Sequence, residues 1–160
     1  MKKEILVAYF SATGTTAGAA RKLAAAIGAD LHEIRPERPY SSADLDWTDP
    51  KSRSSLEMNS PAARPAISGK IENLEKYDLI FVGFPIWWYV APVIVNSFLE
   101  SCDLSGKTVV PFATSGGSGM GKSAAKLAPS CKGATLLPGK MLNGNFSATE
   151  LKAWVESLAL

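Results

Sequence analysis

The sequence predicts an α/β fold, a parallel sheet of five strands with helices on both faces. Short continuous apolar runs recur along the chain, as expected of strands covered on both sides. Amphipathic helical patterns separate most of them, which favours crossover connections and a parallel sheet. Turns rich in glycine and hydroxyl side chains follow the first and fourth runs. In such sheets ligands bind beyond the carboxyl ends of the strands, so function is sought there.

Ile5 to Phe10 is the first run. Ala20, Leu23, Ala24 and Ile27 then repeat at helical spacing, and Gly28 is placed to end that helix. Leu31 to Ile34 reads as a short second strand. Residues 35–70 change character: they hold five of the ten prolines and many Ser, Asp and Arg residues. A connection this long in a compact domain is usually functional or loose. Asp49-Pro50 predicts the start of a helix within it, running to about Asn59. Leu79 to Phe84 is a third strand. Pro92 opens a helix whose Ile94, Val95, Phe98 and Cys102 share a face. Thr108 to Ala113 is a fourth strand, in which Pro111 predicts a bulge or an early end, because proline has no N–H for the ladder. A helix is expected near Ser118 to Ala128 and a fifth strand at Ala134 to Leu137. Ser147-Ala148-Thr149-Glu150 is a capping box, opening a last helix with Leu151, Trp154, Val155 and Leu158 inward.

Length and composition bound the rest. The chain has 160 residues, which suits one domain spanning 1–160. With 46% hydrophobic residues and a net charge of +2, it is neither disordered nor a nucleic-acid binder relying on a strong basic field. Cys102 and Cys131 make no disulfide framework or metal cluster and read as reduced thiols. The apolar run behind Met1-Lys2-Lys3-Glu4 is too short for a signal peptide or a membrane span. The expectation is a cytoplasmic protein with no membrane or nucleic-acid partner.

Three strand-end loops carry the functional signal. The first is Ser11-Ala12-Thr13-Gly14-Thr15-Thr16, at the start of a helix. Unpaired N–H groups and the dipole suit such an end to a phosphate, and the hydroxyls add donors. An ordinary Ser/Thr cap would use the same residue types. The loop lacks G-x-G-x-x-G. The second is Pro85-Ile86-Trp87-Trp88-Tyr89-Val90-Ala91-Pro92. Its consecutive aromatics cannot all face a core, so at least one is expected on a flat ligand and one inward. The third is Thr114-Ser115-Gly116-Gly117-Ser118-Gly119, whose glycines let backbone approach a ligand closely.

Gly116 to Ser123 also fits the Walker A spacing of a P-loop nucleotide hydrolase. That alternative would use Lys122 and Ser123, but it lacks an Asp at a neighbouring strand end for Mg²⁺. The single histidine, His32, sits within a short strand and fits a structural role. No catalytic set and no metal site is legible, so any chemistry would be borrowed from a cofactor.

These residues resemble the flavodoxin family, FMN-binding flavoproteins with a doubly wound five-stranded parallel sheet in the order 2-1-3-4-5. The resemblance covers nearly the whole chain. It implies that Ser11, Thr13, Gly14, Thr15 and Thr16 take the FMN phosphate. It implies that Pro85, Ile86, Trp87 and Trp88 flank the ring, and that Thr114, Ser115, Gly116, Gly117, Ser118 and Gly119 meet its pyrimidine side. The implied function is electron transfer through bound flavin to a redox partner protein or small acceptor, with an NAD(P)H-dependent quinone reductase as the alternative. Shuttle-type flavodoxins are strongly acidic, which steers them to basic partners. This chain is near neutral and its third loop is Gly/Ser-rich, and both departures favour a reductase. Residues 35–70 are expected to cover the flavin or wall a substrate. Trp47 is a candidate for that wall, with packing beneath the loop as its other expected role.

Overall fold

A computed structural model describes residues 4–12, 14–60, 62–69, 71, 74–87, 90–115, 119–143 and 146–158. The main sheet is built from β1 (Ile5–Tyr9), β2 (Asp30–Glu33), β5 (Leu79–Pro85), β6 (Thr108–Thr114), β7 (Thr135–Leu136) and β8 (Lys140–Met141). Its order is β2-β1-β5-β6-β7, with β8 also against β6, and every pairing is parallel. This is the expected 2-1-3-4-5 arrangement, with the fifth strand divided in two.

Alternate side chains of each strand serve opposite faces. Leu6, Ala8, Ile80, Val82 and Phe84 pack with Ile94 and Phe98 of α3 (Val93–Glu100). Val7, Tyr9, Phe81, Val110 and Phe112 pack with Ala20 and Leu23 of α1 (Thr15–Ile27) and Leu151 of α5 (Ala148–Ser157). Gly28 ends α1 in the left-handed conformation and donates its N–H to the Ala24 carbonyl. The capping box at Ser147 and Glu150 is formed in both directions. Gly83 is set by packing: a Cβ there would overlap the Phe112 ring from the neighbouring strand.

Pro111 neither bulges nor ends its strand. β6 runs on to Thr114 and stays paired with β5 throughout. The odd-numbered residues of β6 face the outer strand: Val109 and Ala113 carbonyls accept there from Leu137 and Leu142. Pro111 therefore turns its missing N–H to the gap between β7 and β8. Gly139 crosses that gap so close to the Pro111 carbonyl that a Cβ would overlap it. The proline interrupts its neighbour instead of its own strand.

Residues 35–70 hold more structure than the sequence suggests. β3 (Arg35–Pro36) pairs antiparallel with β4 (Ile67–Ser68), tying the two ends of the segment together. The helix between them, α2 (Arg53–Met58), is shorter than expected and is capped by Ser52, whose hydroxyl accepts from Ser55 N–H. Asp49 forms a turn before it, accepting from the N–H groups of Lys51 and Ser52. Trp47 is 73% exposed, so it does not pack beneath the loop. The helix expected from Ser118 reduces to α4 (Ser123–Leu127) and a 3-10 turn at Ala128–Ser130. Gly119 and Gly121 are poor helix formers, and Pro129 closes the far end. Ser118 itself lies outside the described residues.

Among the described residues, no helix is long and apolar enough to cross a membrane.

Candidate functional site

β1, β5 and β6 are adjacent and end nearly level, so their loops meet. Phe10 N–H donates to the Gly83 carbonyl and Ile86 N–H to the Thr114 carbonyl, carrying the ladder to the loop roots.

In the first loop, Gly14 precedes α1 with φ 98°, a left-handed conformation strained for any residue with a Cβ. A Cβ there would meet nothing within 4 Å, so the backbone lies open. Ser11 Oγ accepts from Gly14 N–H at 3.0 Å and from Ala17 N–H at 3.2 Å. Its lone pairs thus cap the helix, leaving its own proton to donate elsewhere. Gly18 N–H makes the first helical bond, to the Gly14 carbonyl. The N–H groups of Thr15 and Thr16 come before it in the first turn and have no intrahelical acceptor. Thr15 is exposed. Unpaired donors, a dipole and a hydroxyl proton fit a phosphate.

Two expected ligand groups face inward. Thr16 and Thr114 are both buried, and their hydroxyls bond each other at 2.8 Å, across the start of α1 and the end of β6. What Thr16 offers outward is its N–H, not its hydroxyl. In the third loop, Ser115 N–H donates to Asn143 Oδ1 at 2.8 Å. Asn143, just after β8, was not singled out in the sequence. Its one signal in the sequence is an Asn-Gly pair, which marks a turn. A cavity of about 340 Å³ opens beside these groups, lined by Gly14, Thr15, Lys22, Ser115, Asn143 and Phe146 among others. Gly119 is exposed. Thr13, Trp88, Gly116, Gly117 and Ser118 lie outside the described residues.

In the second loop, Pro85 ends β5 opposite Thr114, and Ile86 packs on the core. Trp87 and Val90 exchange both backbone hydrogen bonds, at 2.9 and 3.2 Å. Trp87 is half-buried and meets Phe10 and Tyr40 edge-on, with centroids 5.6 and 5.5 Å away. Phe10 and Tyr40 also meet at 5.6 Å, completing an aromatic triangle.

Tyr40 was not recognised in the sequence, yet it joins the long connection to this loop. Its hydroxyl donates to Glu57 Oε1 at 2.5 Å. Arg53 binds the other carboxylate oxygen at 2.9 Å and lies over the Tyr40 ring, 3.9 Å from its centroid. Burial, and then the bond to the Glu57 carboxylate, push the Tyr40 hydroxyl far above its ordinary pKa. It stays protonated and keeps donating. A second cavity, of about 420 Å³, lies between Tyr40, Ser11 and the charged pair Glu33–Arg35.

The Walker A alternative fares poorly. Ser123 is fully buried at the start of a five-residue helix, so its hydroxyl cannot reach a metal ion.

Comparison with known proteins shows the family and the fold. Residues 4–158 match the sequence profile described as Flavodoxin. The chain belongs to the flavodoxin family. A crystal structure of a candidate flavoprotein from Bacteroides eggerthii is 54% identical, with TM-score 0.93 and 98% of each chain covered. Another, from Bacteroides uniformis, is 47% identical, with TM-score 0.90 and coverage of 98% and 99%. A Lactobacillus acidophilus flavoprotein crystallised in complex with FMN shares the fold at 21% identity, with TM-score 0.71 and coverage of 96% and 99%. An FMN-dependent NADH:quinone oxidoreductase of Streptomyces coelicolor is 31% identical over 107 residues. That match covers 58% of this chain and 47% of the relative, so it spans about half the relative's length.

Proposed function

We propose that this flavodoxin-family protein is an FMN-dependent oxidoreductase, drawing electrons from a nicotinamide nucleotide and passing them to a small flat acceptor such as a quinone. One observation carries the flavin assignment: a helix start with open N–H donors and a free hydroxyl proton stands beside an aromatic triangle, at the level ends of three parallel strands. A phosphate and a flat ring joined by a short polyol fit that pairing. Ser11 and the Thr15 and Thr16 N–H groups would hold the phosphate. Trp87, braced by Phe10 and Tyr40, would border the ring and exclude water from one side. The bound flavin supplies reversible acceptance of two electrons, chemistry for which the described side chains offer no substitute.

Two features favour a reductase over a protein-to-protein shuttle. The net charge of +2 gives no acidic field for steering to a basic partner. The partial match to an FMN-dependent NADH:quinone oxidoreductase points the same way. The test is an anaerobic visible spectrum of the FMN-loaded chain before and after NADH or NADPH. Rapid bleaching by the nucleotide alone, followed by reoxidation with a quinone, is the expected result. Bleaching only through an added reductase protein would make the chain a carrier. Failure to take up FMN at micromolar concentrations would remove both readings.

A further inference from the structure

We propose that Lys126 is a positioning residue for the flavin site: from α4 it holds the root of the aromatic loop and places a cation behind it. The proposal rests on the flavin lying between the loops that begin at Pro85 and Thr114.

Lys126 Nζ donates to the Ala91 carbonyl at 2.7 Å and lies 3.9 Å from Met58 Sδ of α2. Ala91 is fully buried and follows directly on the Trp87–Val90 bridge. Its carbonyl stands just outside α3: Pro92 is the N-cap, and the bond from Val95 N–H goes to the Pro92 carbonyl. A buried carbonyl in that position needs a donor from elsewhere. Among the described residues, no carboxylate lies within ion-pair distance of Lys126. The ammonium is half-buried for the sake of a main-chain oxygen. Burial, with Arg64 nearby, lowers its pKa to about 8, so the position costs the charged form.

The contact is one end of a polar chain. Asn96 Nδ2 donates to the Lys126 carbonyl at 3.2 Å and to Ser130 Oγ at 2.9 Å. Ser130 donates to Glu100 at 2.6 Å, and Arg64 binds Glu100 at 2.8 Å. This chain fastens the segment leaving the third loop to the helix leaving the second, and Lys126 extends the tie into the second loop itself. The charged groups on the elements packed around Lys126 are Arg64, which opposes its charge, Glu100, which is engaged with Arg64 and Ser130, and the Arg53–Glu57 pair of α2.

The consequence is that FMN affinity and potential depend on the charge of Lys126. Charge-assisted bonds weaken when the donor becomes neutral, and a cation behind the loop that would border the ring would favour the added electrons. The experiment measures FMN dissociation constants by fluorescence quenching from pH 7 to 9, and the midpoint potential of the loaded protein, for the unaltered chain, Lys126→Met and Lys126→Arg. The range lies above the second phosphate ionisation, near pH 6. We expect the unaltered chain to lose affinity with an inflection near pH 8. Lys126→Met should bind FMN about tenfold more weakly across the range, with a more negative potential. Lys126→Arg should restore both and remove the inflection. Absence of FMN binding by the unaltered chain overturns the flavin reading and the proposal with it. Normal binding by the unaltered chain, with a Met variant equal to it in affinity and potential, overturns the proposal alone. If the Met variant does not fold, an Arg variant that keeps the inflection overturns it.

Discussion

Replacing Ser11 with alanine tests whether one oxygen atom has both the duty seen in the fold, capping α1, and the one proposed for it, donating to the FMN phosphate. Without ligand, the variant loses an acceptor for two N–H groups, at 3.0 and 3.2 Å. The loop is partly exposed, so water takes over some of that bonding, and the loss should be about 1 kcal/mol, as for a helix cap. In a domain of this size that lowers the melting temperature by about 2–4 °C. With FMN present, the variant also lacks a donor to a dianion, worth about tenfold in affinity. At FMN one hundred times the unaltered dissociation constant, ligand linkage stabilises the unaltered chain by about 2.7 kcal/mol and the variant by only about 1.4. The melting gap between the two should therefore roughly double when FMN is added. Differential scanning fluorimetry with and without FMN reads both gaps, and Ser11→Thr is the control expected to keep both functions. Equal gaps would show that Ser11 is a cap and nothing more.

Other parts of the structure give equally direct tests. Thr16→Val or Thr114→Val alone leaves a buried hydroxyl without its partner and should cost about 1–3 kcal/mol. The double variant should cost less than the sum, and additive losses in urea denaturation would show that the two hydroxyls do not interact. Gly83→Ala forces a methyl into the Phe112 ring and should destabilise by about 1–3 kcal/mol or more, partly recovered by Phe112→Leu. Failure of that second change to help would place the strain elsewhere. His32 stacks on Phe98 at 5.8 Å, and its pKa is lowered by burial and then by Arg35, against an opposing effect of Glu33. A histidine lowered in the folded state stabilises fully above its unfolded value, about 6.5, and that contribution is lost as pH falls through the folded value. The unaltered chain should therefore lose more stability between pH 7.5 and 5 than His32→Gln, as measured by urea midpoints. Parallel profiles would deny the coupling.

The main strands and helices were legible because each repeats a pattern long enough to register. Ile5–Tyr9 and Leu79–Pro85 are continuous apolar runs, and Ser147 with Glu150 marks a helix start by chemistry alone. Strand order came from the family likeness, since no local pattern encodes which strands are neighbours. The β3–β4 pair was illegible because two-residue strands have no periodicity to read. Pro111 misled because proline's effect depends on which side of the strand its missing N–H faces, and that follows from register. The site divides similarly. The hydroxyl and aromatic clusters announce themselves, but their directions do not: Thr16 turned inward and Trp47 outward. Tyr40, Asn143 and Lys126 act across long stretches of chain, through partners that only the fold brings near.

The divided outer strand has a further consequence, for how copies of this protein meet. A sheet that ends in a long straight strand presents a row of vacant amides and carbonyls on which another molecule can add its own strand. Here the border is two fragments of two residues each, parted where Gly139 passes over Pro111. Neither fragment is long enough to template a stable addition, so the sheet is closed to growth on that side at high concentration.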